Sequence, residues 1–193
     1  MTEEAEQVPK NELDRLMADI RACTICQDHL PLGPHPILQV AGSAKILIAG
    51  QAPGKKVHES GVPFDDQSGE RLRSWLGLTS EQFYDSKKVA ILPMGFCYPG
   101  AGVSGDAPPR PECAKEWREK VLNHLSKVGL VLVIGKYALD YHLADKQKEN
   151  LTALLQKLPK FLNCGQLFDN RPRWQPKKDA DRVQGFFGFH VRI

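Results

Sequence analysis

A chain of 193 residues with 41% hydrophobic and 25% charged side chains has the composition of one ordinary soluble domain, long enough to bury a core. No apolar run approaches the ~20 residues of a membrane span, and the acidic start Met1 to Gln7 lacks the apolar stretch of a secretory signal. A cytoplasmic compartment is therefore expected, where five cysteines are metal ligands or buried thiols rather than disulfides. The net charge of +3 is too small to name a nucleic-acid binder. Its distribution says more, because residues 160–193 carry seven Lys/Arg against three Asp, a basic end that either meets phosphates or is simply solvated.

In chain order, Asn11 reads as the cap of an amphipathic helix with Leu13, Leu16, Met17 and Ile20 on one face. Residues 27–43 form a Pro/Gly-rich loop, and Lys45–Ala49 is the first buried strand. A helix over Gly69–Leu76, with Leu72, Trp75 and Leu76 inward, precedes a short capped helix at Thr79–Tyr84. Val89–Leu92 is a second strand, and 98–111 is a long Gly/Pro loop of the kind that is functional or disordered. Pro111 opens a helix to about Leu125; a third strand covers Leu130–Gly135, and helices follow at about 136–143 and 150–158. Strand and helix in alternation imply a parallel sheet covered on both faces.

The turn Gly50-Gln51-Ala52-Pro53-Gly54 directly follows the first strand. In open α/β sheets, ligands bind at that carboxyl edge, where glycine lets the backbone come close. The nearby run 61–69, Gly-Val-Pro-Phe-Asp-Asp-Gln-Ser-Gly, adds an aromatic and two carboxylates. Together they describe a pocket for a flat, polar molecule.

Cys23 and Cys26, spaced CxxC, and Cys97 and Cys113, flanking the long loop, can close a four-thiolate site. Zinc and a 4Fe–4S cluster both accept such a set; the bland reading makes Cys97 and Cys113 small core residues. Cys164 falls outside the pattern.

The ordered series Cys23-x-x-Cys26, Ala44 to Gly54, Gly61 to Phe64, Ser68 to Arg73, Cys97 and Cys113 resembles the uracil-DNA glycosylase superfamily, nearest its iron–sulfur families four and five, over roughly residues 12–140. The resemblance implies a three-layer α/β/α domain with a central four-stranded parallel sheet. It implies a monomeric DNA-repair hydrolase that cleaves the N-glycosidic bond of uracil or a related deaminated base flipped out of DNA. It also implies a 4Fe–4S cluster on Cys23, Cys26, Cys97 and Cys113, with zinc as the alternative. Phe64 takes the place of the aromatic that stacks on the base, with a core Phe beside a turn as the competing reading. Gly50, Ala52, Pro53 and Gly54 take the place of the loop that binds base and water.

The departures from the pattern fall on the chemistry. The first motif of the most similar branch has Glu where this chain has Gln51, and the best-known branch has Asp where it has Ala52. Gln51 can orient water but is no base at neutral pH. Asp66 matches an Asp that is catalytic in family five and is the expected residue for water activation or cation stabilisation, with Asp65 as fallback. Asp66 also suits the cap of the helix that follows, and one residue can do both. The Asn that reads the base edge falls at Pro93. The second motif, His-Pro-Ser, is missing, and alignment on Phe161 and Trp174 puts Gln166 in its place as a neutral donor. His58 is the only histidine near the pocket in sequence and reads as a loop residue. Residues 163–193 therefore read as an atypical segment of a single domain 1–193, disrupted by a frameshift or by decay.

Two further readings stay open: a non-catalytic iron–sulfur DNA-binding protein on the same fold, and a zinc-stabilised nucleotide-binding module.

Overall fold

The computed structural model describes residues 11–142 other than 104, and the backbone of 188–191. Asn11 caps α1 (Glu12–Arg21), its Oδ1 accepting from the Asp14 N–H at 2.9 Å. The expected apolar face is in place: Met17 and Ile20 are buried, and Leu13 and Leu16 pack beside them.

Three parallel strands make the centre of the sheet. β1 (Ile46–Ala49) lies between β2 (Val89–Ile91) and β3 (Leu130–Ile134), with Ile46 opposite both Val89 and Leu130. The backbone of β4 (Gly188–Val191) adds to the free edge of β3, giving the order β2-β1-β3-β4. It runs antiparallel, with Leu132 opposite His190, so the parallel sheet expected from the sequence has three parallel strands and an antiparallel edge.

Side chains alternate across a strand, and here the alternation divides the core. Leu47, Ala49, Ala90, Val131 and Val133 face one way, toward Met17, Ile20, Val121 and Ala138. Ile46, Ile48, Val89 and Ile91 face the other, toward Leu72, Leu76 and Phe83. Both faces are covered, as a parallel sheet requires, and the expected α/β/α layering is present.

Four helices follow β1 or β3. α2 (Lys55–Ser60) lies between the Gly50–Gly54 turn and the 61–69 run, where the sequence predicts no element. α3 (Gln67–Leu76) begins two residues before the expected start, because Asp66 caps it. α4 (Ser80–Tyr84) starts at the capping box of Thr79 and Gln82. α7 (Lys136–His142) follows β3. One inward assignment is corrected: Trp75 is 47% exposed. The buried face of α3 runs along Gly69, Leu72 and Leu76, and Trp75 lies ~100° round the axis from Leu76.

The helix opened by Pro111 comes in three parts, α5 (Pro111–Cys113), a π-helical turn (Ala114–Arg118) and α6 (Glu119–Leu122). Such a turn rotates the side chains that follow it. Here it carries Trp117 toward Cys23 and buries Arg118 completely. Arg118 donates to the carbonyls of Leu92 and Pro93 at 2.9 and 2.8 Å and contacts His142 Nε2 at 2.7 Å, so it ties the exit of β2 to α7.

The expected helix at 150–158, Cys164, Gln166 and the rest of the 163–193 segment apart from the β4 backbone lie outside the described residues.

Candidate active site and thiol centre

A cavity of about 520 Å³ opens at the carboxyl edge of the three parallel strands. Gly50, Gln51, Ala52, Pro53, Gly54, Phe64 and Asp66 all line it, so seven residues singled out in the sequence share one wall. The turn after β1 is fixed by its carbonyls: Gly50 and Gln51 accept from the N–H groups of Met94 and Gly95, both at 2.9 Å. The Gln51 side chain reaches the cavity and lies against Gly135 at the end of β3. Pro93, where the resemblance places the base-reading Asn, is also in the wall and has no side-chain donor to offer.

Phe64 has φ 58°, the left-handed region that a bulky side chain rarely adopts. Its surroundings hold it there. The Phe64 carbonyl accepts from Arg73 Nη1 and from the Tyr84 hydroxyl, each at 3.3 Å. Arg73 Nη1 also donates to the Tyr84 oxygen at 3.0 Å, and its guanidinium lies 5.5 Å from the ring centres of Phe83 and Tyr84. Burial pushes the Tyr84 hydroxyl up, which keeps it a donor. The Phe64 ring then passes over Gly50, with Cζ 3.4 Å from where a Cβ would stand.

Asp66 caps the helix and faces the cavity at once. Its Oδ1 accepts from the Gly69 N–H at 2.9 Å and the Ser68 hydroxyl at 2.6 Å, capping α3, while the residue lines the cavity. Asp65 is exposed and is not part of the wall.

The structure adds Ser68, Asp106 and Lys136 to the wall. Asp106 sits on a hairpin in the Gly/Pro loop, paired with Ala101 and closed by Ala107 N–H to Gly100 O at 2.8 Å. Its Oδ2 comes 3.3 Å from where a Cβ on Gly54 would stand. Partial burial, then the charge of Asp66, raises the Asp106 carboxyl. The functional reading of the loop was the only signal for it; a separation of forty residues from Asp66 leaves no spacing to read. Lys136 is exposed and paired with Asp140 at 2.6 Å. His58 lies on α2, outside the cavity wall, with His35 Nδ1 against its carbonyl at 2.9 Å.

Cys23, Cys26, Cys97 and Cys113 line a second, smaller cavity with Arg110 and Trp117. All four are free thiols; Cys23 is half-buried and the other three are buried. Trp117 Nε1 donates to Cys23 Sγ at 3.3 Å. Burial pushes the Cys97 thiol up to about 11 and that of Cys113 up to about 12. Among the described residues, no group of three or more His, Cys, Asp or Glu is drawn together as a single-ion site. The donor set itself, four thiols around one cavity with an indole N–H on one sulfur, fits a group held by four thiolates.

Aromatic ring, glycine turn and carboxylates meet at the carboxyl edge of the parallel strands, where α/β domains bind their ligands. A family model described as the uracil DNA glycosylase superfamily matches residues 39–180, more than half of the chain. The chain belongs to the uracil-DNA glycosylase superfamily. The match covers the cavity wall from Gly50 to Lys136, Cys97 and Cys113, and begins after Cys23, Cys26 and Ile37. Among the described residues no helix is long and apolar enough to cross a membrane.

Proposed function

We propose that the protein is a DNA-repair glycosylase that hydrolyses the N-glycosidic bond of uracil or a related deaminated base. It would act as a monomer on a base flipped out of DNA. The observation that carries this reading is the convergence of Phe64, Asp66 and the Gly50–Gly54 turn on one cavity of about 520 Å³, room for a base and part of its sugar.

Each part of the wall has a task in that reaction. Extruding a base costs a few kcal/mol of stacking and pairing, and the clamped Phe64 ring offers a preformed surface that offsets it. As the C1′–N1 bond breaks, the sugar takes on oxocarbenium character and the base leaves as an anion. The Asp66 carboxylate stabilises that cation or activates the attacking water, and Gln51 orients the water. Gln166 is proposed as a neutral donor to the leaving base.

A 4Fe–4S cluster on Cys23, Cys26, Cys97 and Cys113 would supply a structural cross-link. It would tie the segment after α1, the segment after β2 and α5, which carry those thiols. Zinc is the alternative occupant. Protein purified without oxygen should be brown, with broad absorbance near ~400 nm and about four irons per chain; a colourless protein with stoichiometric zinc overturns the cluster.

The activity is tested with an oligonucleotide holding one uracil, incubated with protein and then treated with alkali. Strand scission at the uracil is expected, in a panel that also holds hypoxanthine and mismatches. A second reading, a DNA-binding protein of the same fold without chemistry, is favoured by Pro93 in place of a base-reading amide. DNA binding without scission at any base in the panel would establish it.

A further inference from the structure

The geometry assigns Asp106 as a second catalytic carboxylate, the base that takes the proton of the attacking water, while Asp66 faces the developing sugar cation. The assignment rests on the glycosylase reading and deepens it.

Three features of the cavity separate the two acids. Asp66 Oδ1 is already engaged by the Gly69 N–H and the Ser68 hydroxyl, and a carboxylate that accepts such bonds is a weaker base. Among the described residues, no donor is bonded to the Asp106 carboxylate. Asp106 also reaches the floor of the base-binding turn, its Oδ2 3.3 Å from the Cβ position of Gly54. A methyl group there would press on the carboxylate, which would have to give by a few tenths of an ångström. The hairpin that carries Asp106 is tied at its base by the Ala101 bridge and the Ala107–Gly100 hydrogen bond, which fixes the backbone of Asp106 beside the turn. The upward shift of its carboxyl, from partial burial and the nearby Asp66, suits a group that must accept a proton.

The step balances without another reactant. The water oxygen bonds to C1′ as the C1′–N1 bond breaks and its electron pair leaves with the base. Asp106 takes the water proton and returns it to the departing base anion. The products are the free base and the abasic sugar.

The test compares wild type with Asp106→Asn and Asp106→Ser, each checked by thermal melting. In single-turnover excision from the uracil oligonucleotide, both variants should be slower by on the order of 10²-fold, with unchanged affinity for undamaged duplex. Variant rates within twofold of wild type overturn the assignment. If wild type excises nothing, the glycosylase reading fails and the assignment of Asp106 falls with it; excision by wild type with unaffected variants overturns the assignment alone.

Discussion

The carbonyl oxygen of Phe64 fills the space in which a Cβ on residue 69 would stand. The aromatic of the pocket and the first turn of α3 are thus built as one unit: Asp66 caps the helix at Gly69, and Gly69 leaves room for Phe64. Gly69→Ala must push the Phe64 carbonyl off Arg73 and Tyr84. A loss of ~1–3 kcal/mol in stability is expected from overpacking, together with lower excision. An unchanged melting temperature and rate would contradict the coupling.

Arg73 is a positioning residue for the same aromatic. Arg73→Met keeps the length and apolar contact with Phe83 and Tyr84 but removes the donor to Phe64. Excision should fall about tenfold, and a 2-aminopurine reporter beside the target should be less quenched on binding. A variant that loses stability but quenches as wild type would show that Arg73 serves only the fold.

Asp66→Asn separates capping from chemistry, because Asn caps helices as well as Asp. The melting temperature should stay within a few degrees, and single-turnover excision should drop by about 10²-fold or more. Equal activity would remove Asp66 from the reaction.

His142 gives the stability a pH dependence. Burial, then the charge of Arg118, lowers its pKa to about 4. The Arg118 contact agrees, since a guanidinium can only donate and Nε2 must accept. Unfolded, the ring titrates near ~6.5, so between those values the unfolded chain binds more protons than the folded one. The contribution is complete above about 6.5 and is lost as pH falls toward 4. Thermal melts should show this acid loss in wild type and a shallower slope in His142→Gln; identical slopes would contradict it.

How much of this was legible in the sequence depended on the range of the interactions. β1 is a run of Ile, Leu, Ile and Ala with no polar residue, and the Asn11 and Thr79 caps are local chemistry, so both were readable. The turn, Phe64 and Asp66 lie within twenty residues of one another and were readable as one site. Trp75 was misplaced because a helical face is fixed by what packs on it, here Phe83 and the β1–β2 surface. The π-helical turn, the burial of Arg118 and the approach of Asp106 to Gly54 arise from tertiary packing and leave no periodic trace.

The central claim is that this cavity excises a base. Mass spectrometry of the small molecules released from a uracil-containing duplex tests it most directly. Wild type should release free uracil and leave an intact abasic strand, and Phe64→Ala and Asp66→Asn should release far less under the same conditions. No free uracil from wild type, or equal release by all three proteins, would contradict the account.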